Sequence, residues 1–145
     1  MSFLLHPQLE ADFYVLGRSG NLQVLLRRNA VLPWFLLVPE CTALELYELT
    51  PPLRRELDMQ TDRLAPFVKR YFACDKINIA AIGNIVPQLH LHVIGRRMDD
   101  CCWPHAAWGH LVGNREYDTQ ELAAIGHELT ELPGFDFVRE RAATQ

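Results

Sequence analysis

Polar and aliphatic residues alternate through the segment PQLHLHVI, which runs from Pro87 to Ile94. A β-strand turns successive side chains to opposite faces, with like-facing residues roughly 6.5 Å apart. The polar set is then predicted to share one face: Gln88, His90 and His92. The aliphatic set shares the other face: Leu89, Leu91 and Val93. The segment therefore predicts a strand that packs a core on one side and presents two imidazoles on the other.

Two alternatives account for the same alternation. A solvent-exposed polar face on an antiparallel strand would produce it, but it would not explain histidine, since Lys, Glu or Thr suits water equally well and the chain has only 6 histidines. A metal site is a second use of a His-x-His pair, but it needs a third ligand. No Asp or Glu is well placed near the pair in the sequence, so we expect no metal.

The bulk properties are those of an ordinary globular protein. The 145 residues fit a single domain spanning residues 1–145, with 49% hydrophobic and 22% charged residues. The net charge of -4 argues against a general binder of nucleic acids or anionic membranes. No apolar run approaches the roughly 20 residues of a membrane span, and the N-terminus lacks the basic region of a signal peptide. We therefore expect a cytoplasmic protein.

The cysteines do not form a recognisable framework. There are 4 of them, Cys41, Cys74, Cys101 and Cys102, and they include no Cys-x-x-Cys pair. A zinc site could be imagined from Cys101, Cys102, His105 and His110. Adjacent cysteines rarely present both sulfurs to one tetrahedral ion, so free thiols are the expectation.

The remaining periodicity predicts an α+β fold with a mainly antiparallel sheet. The predicted strands cover residues 12–16, 22–27, 34–38, 76–82 and 88–95, with a turn at residues 17–20. A long amphipathic helix is predicted over residues 51–73, with Thr50 as its N-cap. A second helix is predicted over residues 119–132, capped by Asp118 and ended by Pro133-Gly134.

The two histidines suit phosphoryl chemistry. An imidazole attacks phosphorus when one ring nitrogen is free and the other is held by an acceptor. A second, protonated ring could balance charge on the phosphoryl oxygens. Further donors that the sequence offers nearby are Gln88, Asn84, the backbone N–H groups of Gly83 and Asn84, and Arg96.

The segment QLHLHVI, residues 88–94, resembles the motif of the histidine-triad (HIT) family, His-φ-His-φ-His-φ-φ, with Gln in place of the first histidine. The resemblance covers roughly residues 10–110 and includes LLVPE at residues 36–40. DKINIAAIGNIVPQLHLHVIGRR followed by WPHAAWG is similar to a bacterial subgroup that carries this Gln. The resemblance to the HIT family implies a HIT-like fold, with about five strands, a long central helix and a C-terminal helix.

The resemblance also implies roles for the three motif positions. His90 matches the family's nucleophile, which forms a nucleotidyl-histidine on the α-phosphate, and His92 matches the histidine that contacts phosphate. Gln88 stands where the first histidine helps to orient the nucleophile. Glutamine can donate and accept hydrogen bonds but cannot titrate.

Other implied positions are less specific. Asn29 is the best match for the side chain that holds the ribose, with Arg28 as a second choice, although Asn29 could equally be a turn residue. Trp34 could stack near the base, but a core or dimer-interface position suits it better. Trp103 and Trp108 could wall the phosphate end of the cleft or cover the sheet. Family members are typically homodimers built across the central helix.

The expected function is hydrolysis or nucleotidyl transfer at the α-phosphate of a nucleoside phosphoramidate, a dinucleoside polyphosphate or a related ester. The expected partners are a nucleotide substrate and a second copy of the chain, without a cofactor, nucleic acid or membrane. A nucleotide-binding sensor or scaffold with little turnover is one alternative. A metal-binding protein that uses His90 and His92 is another.

Overall fold

The computed structural model describes residues 2–141. Its helices are α1 (Pro7–Asp12), α2 (Pro51–Tyr71) and α3 (Thr119–Glu131), with a 3₁₀ turn at Leu46–Glu48. Its strands are β1 (Phe13–Ser19), β2 (Leu22–Arg27), β3 (Trp34–Pro39), β4 (Lys76–Ala80), β5 (Leu91–Arg96) and β6 (Phe137–Arg139). The strands form one sheet in the order β4-β5-β3-β2-β1-β6. Every neighbouring pair is antiparallel, so the predicted α+β class is confirmed.

Two hydrophobic clusters cover the two faces of the sheet. Helix α2 packs on one face, where Leu57, Leu64 and Phe67 join Leu89, Leu91 and Val93. The other face is covered by the N-terminal segment and by the loop that follows β5. Both faces of β3 are therefore buried, from Trp34 to Pro39, which places the centre of the sheet away from water.

The histidine strand has the predicted alternation but begins later than predicted. Leu91 pairs with Leu37 of β3, and His92 pairs with Ala80, where β4 ends. Residues 88–90 have no partner on β4, because that strand stops at Ala80 rather than at the predicted residue 82. They lie in the loop that leads into β5, and this loop leaves their backbone groups free for other contacts.

The first hairpin is tighter than the sequence indicated. The predicted turn at residues 17–20 is wrong, because β1 continues to Ser19 through a bulge between Val15 and Gly17. The turn itself consists of Gly20 and Asn21, and Gly20 adopts the left-handed conformation, with φ of 57°, that glycine takes without strain.

Besides the 3₁₀ turn at Leu46–Glu48, the structure contains one helix and one strand that were not predicted. Helix α1 has 6 residues and β6 has 3, and both are too short for a periodic pattern to stand out. Strand β6 extends the sheet beside β1, so the sheet has six strands rather than about five.

Both longer helices begin where their caps predict. Asp118 accepts a hydrogen bond from the Glu121 N–H at 2.7 Å, which satisfies one of the free donors at the start of α3. Thr50 is the N-cap residue of α2, although its side chain makes no capping bond. Helix α2 ends at Tyr71, two residues before Ala73, whose φ is 51°.

Among residues 2–141, no helix combines the length and the apolar character that crossing a bilayer requires.

Leu91→Asp is expected to lower the free energy of unfolding by about 3 kcal/mol or more. Leu91 is 8% exposed in the α2-side cluster, so the substitution would bury an unpaired carboxylate. Val138→Asp is the matched control, because Val138 lies in β6 and is 69% exposed. Urea unfolding of both variants measures the difference. Equal destabilisation would show that Leu91 is no more buried than Val138.

Candidate active site

His90 lies just before β5 and is 5% exposed. Its Nδ1 is 2.6 Å from the backbone carbonyl oxygen of Gln88. A carbonyl oxygen can only accept, so Nδ1 carries the proton and Nε2 keeps its lone pair. Burial lowers the pKa of His90, which favours the neutral ring. His90 therefore has the tautomer and charge of a nitrogen nucleophile.

His92 has the opposite tautomer. Its Nδ1 accepts a hydrogen bond from Trp34 Nε1–H at 2.9 Å, and an indole N–H can only donate. The ring proton is therefore on Nε2, which is 3.1 Å from the carbonyl oxygen of Ile82. Burial lowers the pKa of His92 to about 4, with His90 and Arg27 acting in the same direction, although the hydrogen bond to the Ile82 carbonyl raises it. His92 is thus neutral near pH 7, and the expectation of a second, protonated ring beside the nucleophile is not met.

Aromatic side chains enclose His92. The Trp34 ring lies edge-on to His92 at 5.7 Å, and the Trp108 ring meets it at 4.9 Å. Trp108 also contacts Trp34 at 5.1 Å, so it covers the sheet behind the histidines. Trp34 is 2% exposed, which confirms it as a core residue. Its hydrogen bond to His92 is a role that the sequence did not indicate.

A pocket of about 180 Å³ opens beside His90. Its lining includes four of the predicted residues: Gly83, Asn84, Gln88 and His90. Leu44 and Glu45, from the segment after β3, also line it, and neither was identified from the sequence. The loop needs glycine at position 83, because a Cβ there would lie 2.8 Å from the Val86 carbonyl oxygen. The predicted nucleophile, His90, therefore lines the same pocket as Gly83 and Asn84, the predicted backbone donors.

The side chain of Gln88 does not contact His90 through a hydrogen bond of its own. Its Oε1 accepts from the His6 backbone N–H at 2.9 Å, and its Nε2 donates to the Leu4 carbonyl oxygen at 3.0 Å. The contact that orients His90 comes from the main chain of Gln88 instead. Position 88 therefore contacts His90 through its backbone and the N-terminal segment through its side chain.

Asn29 and Arg28 make their contacts elsewhere. The Asn29 side chain donates to the Gly113 carbonyl at 3.1 Å and accepts from the Val31 and Arg115 N–H groups, both at 3.2 Å. Arg28 donates to the Glu10 carbonyl at 3.1 Å, with its guanidinium 4.4 Å from the Tyr14 ring centroid. Neither residue lines the pocket beside His90. Asn29 forms a β-bridge with Glu116, and its side chain holds Gly113 and Arg115 beside the connection that follows β2.

Arg96 is also separate from this pocket. It is 2% exposed, and its Nε and Nη2 donate to the Asp100 carboxylate at 2.8 and 3.0 Å. Its Nη1 donates to Asn78 Oδ1 at 2.9 Å, and Trp103 lies 5.7 Å away. All three guanidinium nitrogens of Arg96 donate hydrogen bonds within the protein. Arg96, which was predicted to bind phosphate, instead links β5 to β4 and to the loop after β5.

The four residues considered as zinc ligands, Cys101, Cys102, His105 and His110, are not arranged around a common point. Cys101 and Cys102 have their sulfurs 3.4 Å apart, and the His105 and His110 rings stack at 4.8 Å. Within residues 2–141, no group of three or more His, Cys, Asp or Glu side chains is arranged to hold a metal ion.

Comparison with known proteins agrees with this geometry. The model of the HIT domain matches residues 8–99, so the chain belongs to the HIT domain family. That membership supports a nucleotide-binding hydrolase or transferase. No match was found among curated proteins.

Solved structures give the same assignment. A histidine triad protein from Bradyrhizobium japonicum is 34% identical with a TM-score of 0.84, covering 91% of this chain and 98% of its own. One from Sinorhizobium meliloti 1021 is 36% identical with a TM-score of 0.83, covering 90% and 96%. One from Marinobacter aquaeolei VT8 is 37% identical with a TM-score of 0.83, covering 91% and 96%.

His92 is expected to make the protein less stable in acid. Between pH 6.5 and 4, the unfolded chain binds a proton at His92 that the folded protein excludes, because its folded pKa is about 4. The free energy of unfolding should therefore decrease by about 3 kcal/mol from this group as the pH falls through that window. His90, whose pKa is lowered too, acts in the same direction.

Urea unfolding from pH 7.5 to 4 measures this effect as the difference between wild type and His92→Gln. Glutamine keeps a donor and an acceptor but cannot titrate, so the decrease should be smaller in the variant. His127→Gln, at an exposed position of α3, should keep the wild-type decrease. Parallel curves for wild type and His92→Gln would contradict a buried, neutral His92.

Proposed function

We propose that this protein is a hydrolase or nucleotidyl transferase in which His90 attacks the α-phosphate of a nucleotidyl substrate. The observation that carries the proposal is the hydrogen bond between His90 Nδ1–H and the Gln88 carbonyl oxygen at 2.6 Å. It holds the ring in the tautomer with a free Nε2, beside a pocket that a phosphate group can enter.

The reaction proceeds in two displacements. The Nε2 lone pair forms the N–P bond while the bond from phosphorus to the leaving group breaks, and its electron pair departs with the leaving group, which takes a proton from water. A water molecule then attacks phosphorus, and the N–P electron pair returns to Nε2. The attacking water loses a proton to solvent, so the mononucleotide is released and His90 is restored. In a transferase, another nucleophile would take the place of water.

Uncharged donors are proposed to bind the phosphoryl oxygens. Gly83 and Asn84 line the pocket and lie outside every helix and strand, so the sheet ladder does not use their N–H groups. The Asn84 carboxamide adds a side-chain donor. Fixed dipoles of this kind stabilise charge that develops in a transition state. His92 contributes indirectly, as a neutral ring packed 4.8 Å from His90.

His90→Ala is expected to abolish turnover and the covalent intermediate together, since no other group supplies the attacking nitrogen. The substrates are adenosine and guanosine phosphoramidates and dinucleoside polyphosphates, and intact-mass spectrometry detects a nucleotidyl adduct on the protein. His127→Gln is the control and should form the adduct normally. An adduct on His90→Ala protein would assign the nucleophile to another residue. No turnover of any of these substrates by the wild type would contradict the proposed function.

A homodimer is proposed as the assembled form, in the cytoplasm. Strand β4 is an edge of the sheet, with one side unpaired in this chain, and edge strands invite pairing. Ile79 on β4 is 49% exposed and lines a cleft with Leu57 and Thr61 of α2. Apolar exposure on an open edge, next to a long helix, supports association of two copies through this surface.

Ile79→Asp is expected to shift the protein from dimer to monomer, because it adds a charge at the apolar edge. Val138→Asp is the matched control, since Val138 is exposed on β6 at the opposite edge. Light scattering coupled to gel filtration gives the mass of each variant. A wild-type monomer, or a dimer that persists in Ile79→Asp, would contradict this interface.

A further inference from the structure

A turn after β5 brings two adjacent cysteine side chains together. The Asp100 carboxylate accepts hydrogen bonds from the backbone N–H groups of Arg97, Cys102 and Trp103, at 3.0, 3.0 and 2.8 Å. Adjacent side chains of a strand would point to opposite faces, but here the sulfurs of Cys101 and Cys102 lie 3.4 Å apart. The contact between the two sulfurs therefore depends on the turn that Asp100 holds.

The two thiols differ in their access to solvent. Cys101 is exposed, whereas Cys102 is 3% exposed and belongs to the cluster on the histidine side of the sheet, with Trp34 and Ala107. Burial and the neighbouring Cys101 raise the pKa of Cys102 to about 11, so its thiolate is scarce near pH 7. A reagent in solution therefore meets Cys101 first, with the sulfur of Cys102 in contact with it.

Hydrogen peroxide would oxidise such a pair in two steps. The Cys101 sulfur attacks one peroxide oxygen, the O–O bond breaks, and a sulfenic acid and one water are formed. The Cys102 sulfur then attacks the Cys101 sulfur, the S–O bond breaks, and the hydroxyl group leaves with the Cys102 proton as a second water. Two thiols and one peroxide thus give one disulfide and two waters, with two electrons passing from sulfur to oxygen.

The ring closed by two adjacent cysteines would be easy to reopen. Adjacent Cα atoms lie about 3.8 Å apart, below the separation of roughly 4.4–6.8 Å in ordinary disulfides. Such a bridge is strained, and strained or exposed disulfides are the ones that small thiols reduce. The pair therefore suits a reversible modification better than a permanent cross-link.

We propose that Cys101 and Cys102 form a reversible oxidation site, in which Cys101 reacts with a peroxide and Cys102 closes a vicinal disulfide. The site lies on the loop that covers the histidine side of the sheet, and neither cysteine lines the pocket of His90. Oxidation at this site goes beyond the proposed function, and it can be measured without a nucleotide substrate.

Peptide mapping of the full-length protein tests this site. Reduced protein is treated with hydrogen peroxide, free thiols are blocked with N-ethylmaleimide in denaturant, and peptides are analysed by mass spectrometry without reduction. The peptide that contains both residues is expected to be two hydrogens lighter and unblocked, and dithiothreitol added before the maleimide should restore both thiols. Cys41→Ser, at a partly buried position after β3, is the matched control and should form the same product.

Two further serine variants separate the roles of the two thiols. Cys102→Ser should react at about the wild-type rate but stop at the sulfenic acid, which dimedone traps. Cys101→Ser should be oxidised at least about tenfold more slowly, because Cys102 is buried. Melting temperatures identify a variant that fails to fold, and Cys101→Ser alters only an exposed position.

Three results would overturn the oxidation site. In the first, Cys101 of the wild type gains oxygen while Cys102 is still blocked by maleimide. In the second, the disulfide joins the Cys101 residues of two chains. In the third, neither thiol reacts at peroxide concentrations that oxidise free cysteine. Equal rates for Cys101→Ser and Cys102→Ser would overturn the assignment of Cys101 as the first thiol to react.

Discussion

The hydrogen bond from the His90 ring to the Gln88 carbonyl oxygen is the constraint around which the site is built. It joins residues two apart, which is possible only because residues 88–90 are outside the ladder of β5. If β4 continued beside residues 88–90, the Gln88 carbonyl oxygen could accept from a backbone N–H of β4 instead of from the His90 ring. The early end of β4 at Ala80 and the turn-rich loop after it thus determine which nitrogen of His90 is free.

His90 and His92 illustrate how partner chemistry differentiates two identical side chains. Their rings lie 4.8 Å apart and both are 5% exposed, so burial alone would treat them alike. One Nδ1 faces a carbonyl oxygen and must donate, whereas the other faces the Trp34 indole N–H and must accept. The difference in tautomer between the two rings is therefore determined by a loop carbonyl and by one residue of β3.

The sequence predicted those features that depend on a local pattern. The alternation from Gln88 to Val93, the Asp118 cap and the amphipathic helix α2 each follow from spacing within a few residues. Trp34 could not be assigned to His92, because their contact depends on the register of β3 against β5. Arg96 does not line the pocket of His90, because it donates to Asp100, four residues further along the chain, and to Asn78, which the pairing of β4 with β5 brings beside it. The Gln88 side chain also finds its partners 82 and 84 residues away.

The alternation of β5 has a consequence for how the chain can change in length. Successive side chains of a strand point to opposite faces of the sheet. Deleting one residue between Leu91 and Arg96 would therefore move each later side chain of β5 to the opposite face. Aliphatic side chains would then meet the indole of Trp34, and polar ones would face helix α2. We therefore expect a change in length to be tolerated better in a connection between elements, such as the segment between Arg96 and Thr119, than within β5.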